Sequence, residues 1–331
     1  MSQTRLAVVV PVYNEEENLG ELASRLHAAL DSVADLDWHV ILVNDGSHDR
    51  SVARILEMRQ SDPRIGLVDL SRNFGHQAAL TAGLAHADGD IVVMMDADLQ
   101  DPPELIPGLI DRWREGYEVV YAVRRSRKTS YLKNLSYRLF YRLNRMIAKI
   151  ELPLDSGDFC LMDQVVVNAL RGLPEYNRFL RGLRSWVGFR QSGYEYDRPD
   201  RYAGTTKYSF WKLVNLALSG FLGFSTVPLR MAIWLGVGAG TIGFILLLWA
   251  IGTRVLGVPS PTGWASTIAV ILFLGGVQLL VIGVLGEYIG NVHEEVRRRP
   301  VFIVRSCHGV TPTSVATPHN GPGRMNTREV G

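Results

Sequence analysis

Two stretches, Met231 to Thr253 and Trp264 to Gly286, run for about 23 residues each without a charged side chain. A helix of that length crosses about 30 Å of hydrocarbon. A buried helical hairpin is the alternative, and two such lengths in succession argue against it. Arg254, Pro259 and Pro261 punctuate the connection between them. Arg230 precedes the first stretch and Arg297, Arg298 and Arg299 follow the second, so the bias of basic residues places both ends in the cytosol with a short external loop. Gly236 with Gly240, and Gly286 with Gly290, are small-residue pairs that let helices approach closely within or between subunits, which leaves a homo-oligomer open.

The whole-chain figures conceal this division. A mean hydropathy of +0.06 averages an apolar hairpin with a well-charged region ending near residue 225. The net charge of +2 hides a run from Val119 to Ile150 with nine basic residues and no acidic one, Arg124 among them. Leucines and isoleucines recur there at three and four, giving a basic amphipathic helix at about 131–150 that suits an anionic membrane surface. The same stripe would also pack on an α/β core. No nucleic-acid recognition module is present, so a nucleic-acid partner is not expected. Cys160 and Cys307 lie far apart without metal-ligand spacing, which fits a reducing compartment. The N-terminal apolar run, Leu6 to Val12, is short, contains Pro11 and is followed by Glu15, Glu16 and Glu17, unlike a secretory signal.

Before the hairpin, apolar runs alternate with helical patterns. Leu6–Val12, Val40–Val43, Ile65–Leu70, Ile91–Met95 and Glu118–Val123 read as strands of a parallel sheet buried on both faces. Between them lie helices at roughly Glu16–Leu30, Asp49–Gln60, His76–Ala87 and Pro103–Glu115. The alternation predicts a doubly wound α/β domain, in which ligands bind beyond the carboxyl ends of the strands. Tyr13, Asn14 and Glu15 follow the first strand, Asn44, Asp45, Gly46 and Ser47 the second, and Asp96, Ala97 and Asp98 the fourth. Asp45 and Ser47 could merely form a turn; three polar clusters at one sheet edge are harder to dismiss. No glycine-rich dinucleotide or P-loop pattern follows the first strand. Asp96 and Asp98 stand two apart at the end of an apolar run, so extended geometry would turn both carboxylates to one side. Paired hard oxygens suit Mg²⁺ or Mn²⁺ shared with a diphosphate.

Seven segments then coincide with one family. VVVPVYNEEENL (8–19), VNDGSHD (43–49), SRNFGHQAALTAGL (71–84), MDADLQDPPELI (95–106), SGDFCLMD (156–163), RYAGTTKYS (201–209) and LGEYIGNVHEEVRRRP (285–300) occur in order. The chain resembles family 2 glycosyltransferases of the GT-A fold, specifically polyprenyl-phosphate glycosyltransferases of the GtrB and dolichol-phosphate mannose synthase type. The resemblance implies a cytoplasmic GT-A catalytic domain at 1–227 with interfacial helices at about 131–150 and 208–224. A two-helix transmembrane hairpin at 228–290 and a cytoplasmic tail at 291–331, disordered from about 306, would follow, in a multi-pass protein of the cell inner membrane.

By the same resemblance, Pro11, Tyr13 and Glu15 look like the nucleotide-cradling first loop and Asp45 like the carboxylate that contacts the base. Asp96 and Asp98, with Gln100 beside them, look like the donor-diphosphate and metal carboxylates. Asp158 matches the proposed catalytic carboxylate, and Arg201 and Lys207 the basic pair near acceptor phosphate, with Arg124 added to them. The implied reaction is inverting transfer of a hexose, with UDP-glucose the leading donor and GDP-mannose or UDP-aminoarabinose the alternatives, to undecaprenyl or a similar polyprenyl phosphate. A lipid monophosphate has a second pKa near 6, so Asp158 has less need to act as a base and could orient the acceptor or bind metal. A processive polysaccharide synthase is disfavoured because Arg181 to Trp186 lacks the Q-x-x-R-W pattern. A silent membrane scaffold would need none of the four aspartates.

Overall fold

The computed structural model describes residues 3–124, 156–176, 178–196, 227–256 and 263–310. These fall into two units: the α/β region together with the segment from Arg299 onward, and the long apolar helices.

The α/β unit opens with β1 (Thr4–Val12), α1 (Leu19–Asp31), β2 (Leu36–Asn44), α2 (Ser51–Ser61), β3 (Ile65–Leu70), α3 (His76–His86) and β4 (Ile91–Met94). A 3₁₀ turn at Pro103–Leu105 leads into α4 (Ile106–Arg114), then β5 (Val119–Arg124), β6 (Ser156–Asp163), α5 (Gln164–Arg171), α6 (Leu180–Trp186) and β7 (Gln191–Tyr196). All five expected strands and all four expected helices are present. β1 is buried continuously from Leu6 to Val12, as a strand covered on both faces must be. Helix α1 covers it with Leu19, Leu22, Leu26 and Leu30, spaced to share one face. Each such buried side chain is worth about 1.5–3 kcal/mol. On the other face α3 approaches so closely that a Cβ at Gly83 would lie 2.1 Å from Val9 Cγ1.

The sheet is mixed rather than wholly parallel. Its order is β7-β5-β6-β4-β1-β2-β3-β8, where β8 is Val304–His308. β4, β1, β2 and β3 are parallel neighbours, as expected. β6 inserts antiparallel between β4 and β5, pairing Ile91 with Asp163 and Val119 with Met162. At its end Asp163 caps α5, accepting the Val165 amide at 2.9 Å, and its other oxygen accepts Trp113 Nε1.

β8 corrects the expected tail. Ser306, Cys307 and His308 are strand residues, antiparallel to β3, where disorder was expected from about 306. Composition alone missed this because an edge strand needs few apolar residues when its backbone hydrogen bonds are satisfied by a neighbour.

The second unit holds α7 (Val227–Val255) and α8 (Trp264–Arg297), which contain the two uncharged stretches and touch each other. Within α8, Phe273–Arg297 is long and apolar enough to cross a bilayer, whereas the apolar part of α7, Ala232–Leu246, is shorter. Trp234, Phe244, Phe273 and Leu279 are exposed, as on a surface made for apolar surroundings. Arg298, in the left-handed conformation, ends α8 ahead of Pro300. The expected interfacial helices at about 131–150 and 208–224, Arg201 and Lys207 lie outside the described residues.

Candidate active site

The carboxyl ends of β1, β2 and β4 carry the site, and hydrogen bonds between loops give it shape. After β1, Asn14 adopts a positive φ of 56° and donates its amide to Ser47 Oγ, while its side-chain oxygen accepts the His48 amide. The Glu15 amide donates to Ser51 Oγ, and Glu15 Oε2 accepts Asn18 Nδ2. The first loop is thereby stapled to the second. Pro11 lies buried at the end of β1 and Tyr13 is 44% exposed at the mouth.

Asp45 is 3% exposed, and its two oxygens accept the amides of Phe74 and Gly75 at 2.7 and 3.0 Å. Burial pushes this carboxyl above its usual range, and the two amide bonds pull the other way. In this geometry Asp45 shapes a wall of the site by fixing the loop between β3 and α3. Gly46 beside it has φ +67°, and a Cβ there would meet Arg72 C and Asn73 N at 2.5 Å.

Asp96 and Asp98 do not lie on one extended strand. β4 ends at Met94, and the chain turns through Ala97 and Asp98, with Leu99 at φ 56°. The alternation argument therefore fails, and the two carboxylates differ. Asp98 is exposed and accepts the Gln100 amide at 3.1 Å. Asp96 is 37% exposed as a side chain, but its Oδ1 is enclosed and accepts no hydrogen bond. Burial, then the neighbouring Asp158, Asp98 and Asp101, push its carboxyl up to about 6, against the opposing charge of His76.

Asp158 reaches the same place from β6, with 11% of its side chain exposed. His76 Nε2 lies 3.1 Å from Asp158 Oδ2 and 3.5 Å from Asp96 Oδ1. Gln77 Nε2 donates to Asp158 Oδ2 at 3.3 Å, and Arg181 lies 3.4 Å from Oδ1. Burial pulls the Asp158 carboxyl upward, yet the His76 bond and the charges of Arg181, His76 and Arg184 outweigh it and hold the group below its usual range. Asp158 is therefore ionised and already engaged. His76 is raised, because the bond to Asp158 and the charges of Asp96, Asp158 and Asp45 overcome the desolvation that opposes them.

The structure thus brings together Pro11, Tyr13, Glu15, Asp45, Asp96, Asp98, Gln100 and Asp158 along one sheet edge. Arg124 ends β5, with its side chain outside the described residues. His76, Gln77 and Arg181 are the additions. The first two stand in the SRNFGHQ segment, at the start of α3, where a polar pair opening a buried helix was the available signal. Among the described residues no three His, Cys, Asp or Glu side chains form a ready-made metal cage. Asp96 and Asp98 nevertheless fit a hard cation completed by substrate phosphate, since Mg²⁺ is commonly held by one or two carboxylates, and Asp96 Oδ1 lacks a hydrogen-bond donor.

An α/β sheet with carboxylates gathered at its carboxyl edge, beside loops shaped by buried hydrogen bonds, has the layout in which α/β proteins bind their ligands. Residues 7–171 match the description "Glycosyl transferase family 2" and residues 227–292 match "GtrB C-terminal hairpin". The chain is 46% identical to an uncharacterized glycosyltransferase of Synechocystis over 310 residues, 92% of this chain and 96% of that one. It is 42% identical to the SfII prophage-derived bactoprenol glucosyl transferase of Shigella flexneri, over 93% of this chain and all of that one. Among solved structures it is similar to the mannosyltransferase PcManGT of Pyrobaculum calidifontis, at 17% identity and a TM-score of 0.44, covering 90% and 87% of the two chains. The chain belongs to glycosyl transferase family 2 and is a glycosyltransferase.

Proposed function

We propose that this glycosyltransferase moves glucose from UDP-glucose to a polyprenyl phosphate, such as undecaprenyl phosphate, at the cytoplasmic face of the inner membrane. The observation that carries this reading is the approach of His76 to both Asp96 and Asp158, which brings near one imidazole the two carboxylates this reading assigns to donor and acceptor. The bactoprenol glucosyl transferases aligned with nearly the whole chain support the sugar and the lipid. The matched hairpin supports two spans, α7 and α8, with both ends on one side, and the basic residues Arg297, Arg298 and Arg299 support the cytoplasmic side.

In this reading the loops after β1 and β2 receive the nucleotide, with Tyr13 offering a ring face and Asp45 fixing the wall. Asp96 and Asp98, with Gln100 beside them, would hold Mg²⁺ or Mn²⁺. A divalent ion there would offset the charge that builds on the leaving nucleoside diphosphate. The acceptor phosphate oxygen forms a bond to the anomeric carbon as the bond from that carbon to the diphosphate oxygen breaks, with inversion. Near neutral pH the acceptor is largely deprotonated, since its second pKa is about 6. Asp158, already ionised and held by three side chains, orients groups instead of taking a proton. Arg201, Lys207 and Arg124 remain the basic residues assigned to acceptor phosphate.

Incubation of the purified protein with labelled UDP-glucose, Mg²⁺ or Mn²⁺ and undecaprenyl phosphate tests the reading. Label is expected in the lipid extract and is expected to vanish in excess EDTA. Label from another nucleotide sugar alone would reassign the donor, and no lipid-linked label from any of a donor panel would sink the proposal. Undiminished transfer in EDTA would remove the metal.

A further inference from the structure

Without β8, strand β3 would end the sheet with unpaired N–H and C=O groups, an edge that proteins cover. β8 pairs with it antiparallel, from Leu67 with His308 to Leu70 with Val304, and the Ser71 amide adds a bond to Ile303 O. The register shifts between Asp69, opposite Ser306, and Leu70, opposite Val304, so Arg305 stands opposite no residue in the register of β3. Such a bulge re-aims its side chain.

The Arg305 guanidinium donates to Ser71 O at 2.7 Å and stands 3.3 Å from Asp69 Oδ2. Asp69 is buried, and its other oxygen accepts Asn44 Nδ2 at 2.7 Å. Asn44 Oδ1 accepts the Ser47 amide at 3.1 Å, and Ser47 Oγ accepts the Asn14 amide at 3.0 Å. Ser71 opens the loop whose Phe74 and Gly75 amides bind Asp45. Both walls of the pocket thus run back to one arginine, carried by the strand that follows α8 in the chain.

We propose that Arg305 is a positioning residue for the nucleotide-sugar site: by joining Asp69 to the Ser71 carbonyl it locks the loop after β3 to the loop after β2. This rests on the reading that the loops after β1 and β2 receive the nucleotide against the wall that Asp45 fixes in the loop after β3. Arg305 touches no reacting group. An exposed ion pair by itself contributes little, but here the acceptors are a buried carboxylate and a backbone carbonyl, and charge-assisted hydrogen bonds of this kind are the strong ones.

The test uses full-length protein in detergent, comparing wild type, Arg305→Ala and Arg305→Lys by hydrogen exchange and by transfer kinetics with UDP-glucose. In Arg305→Ala, amides of residues 71–75 are expected to exchange about tenfold faster while those of β1 keep their rates. KM for UDP-glucose is expected to rise about tenfold with kcat within about twofold. Arg305→Lys recovers part of both effects, because its ammonium keeps the charge but lacks the planar fork that spans both acceptors. Unchanged loop exchange with unchanged KM overturns the proposal, and so does faster exchange throughout the sheet, which marks a purely structural role. If wild type transfers no sugar from any nucleotide, the assigned reaction fails, and the exchange comparison alone still decides the role of Arg305.

Discussion

His76 donates to Asp158 across 3.1 Å, joining the first residue of α3 to a strand that enters the sheet antiparallel. The same Nε2 stands 3.5 Å from Asp96 Oδ1. One imidazole therefore stands between two carboxylates that repel each other when both are ionised, and their charges favour its protonated form. A positive charge at a helix N-terminus is unfavourable on its own, and the two carboxylates reverse that balance.

Replacing His76 by Ala should lower kcat by about a hundredfold, the scale of losing one preorganised donor. It should also change the pH dependence of stability. A histidine whose folded pKa is raised contributes stability fully present below its unfolded value of 6.5, lost as pH rises through the higher folded value. The thermal midpoint of wild type should therefore exceed that of His76→Ala most clearly below about pH 6.5. The gap should narrow as pH rises through the raised folded value. A constant gap would remove the charged imidazole from the account.

Asp96→Asn should separate function from stability. A carboxyl raised to about 6 stabilises the fold at low pH relative to its ionised state, and that advantage is lost as pH climbs from 3.8 through about 6. At neutral pH without metal the ionised group is a burden. With allowance for screening of a side chain 37% exposed, the amide should gain about 1 kcal/mol. Transfer should be abolished while the metal-free thermal midpoint rises. A variant that is both inactive and less stable would contradict this.

These two residues differ in how far the sequence discloses them. Asp96 follows an apolar run and sits in a recognisable segment, so its place at the sheet edge is legible. Its pairing with Asp98 is not, because the turn starting after Met94 depends on backbone conformations such as Leu99 at φ 56°. β1 to β4 are legible because double-sided burial excludes charge from their centres. β6 hides behind SGDFCLMD, whose two aspartates break the apolar pattern at the Asp158 site and at the α5 cap. Its antiparallel insertion is a long-range event that no local pattern encodes. His76, Gln77 and Arg181 converge on Asp158 across separations of 82, 81 and 23 residues, so only the folded sheet reveals them as a cluster.

Asp158→Asn discriminates orientation from base catalysis. The carboxylate is ionised well into the acid range, and the variant keeps its size while losing charge on the His76 and Arg181 partners. kcat should fall by about a hundredfold. The acid limb of the kcat/KM profile should stay near pH 6 in both proteins, because it belongs to the acceptor phosphate, whose second pKa is about 6, and to Asp96, whose carboxyl is pushed up to about 6. An acid limb that disappears in the variant would make Asp158 the titrating base.

Gly46→Ala tests whether the wall fixed by Asp45 matters for donor binding. The new Cβ would be forced into a backbone with φ +67° and would lie 2.5 Å from Arg72 C and Asn73 N, backbone atoms that cannot rotate away. The left-handed conformation costs about 1–2 kcal/mol for a residue with a Cβ. Relief of the clash requires displacement of the segment that delivers the Phe74 and Gly75 amides to Asp45. A thermal midpoint lowered by about 2–8 °C is expected for such a loss in a domain of this size. KM for the nucleotide sugar should rise about tenfold while kcat changes less, since the reacting carboxylates lie on other elements. A lowered midpoint with unchanged KM would separate this wall from donor binding and leave Gly46 a purely structural residue.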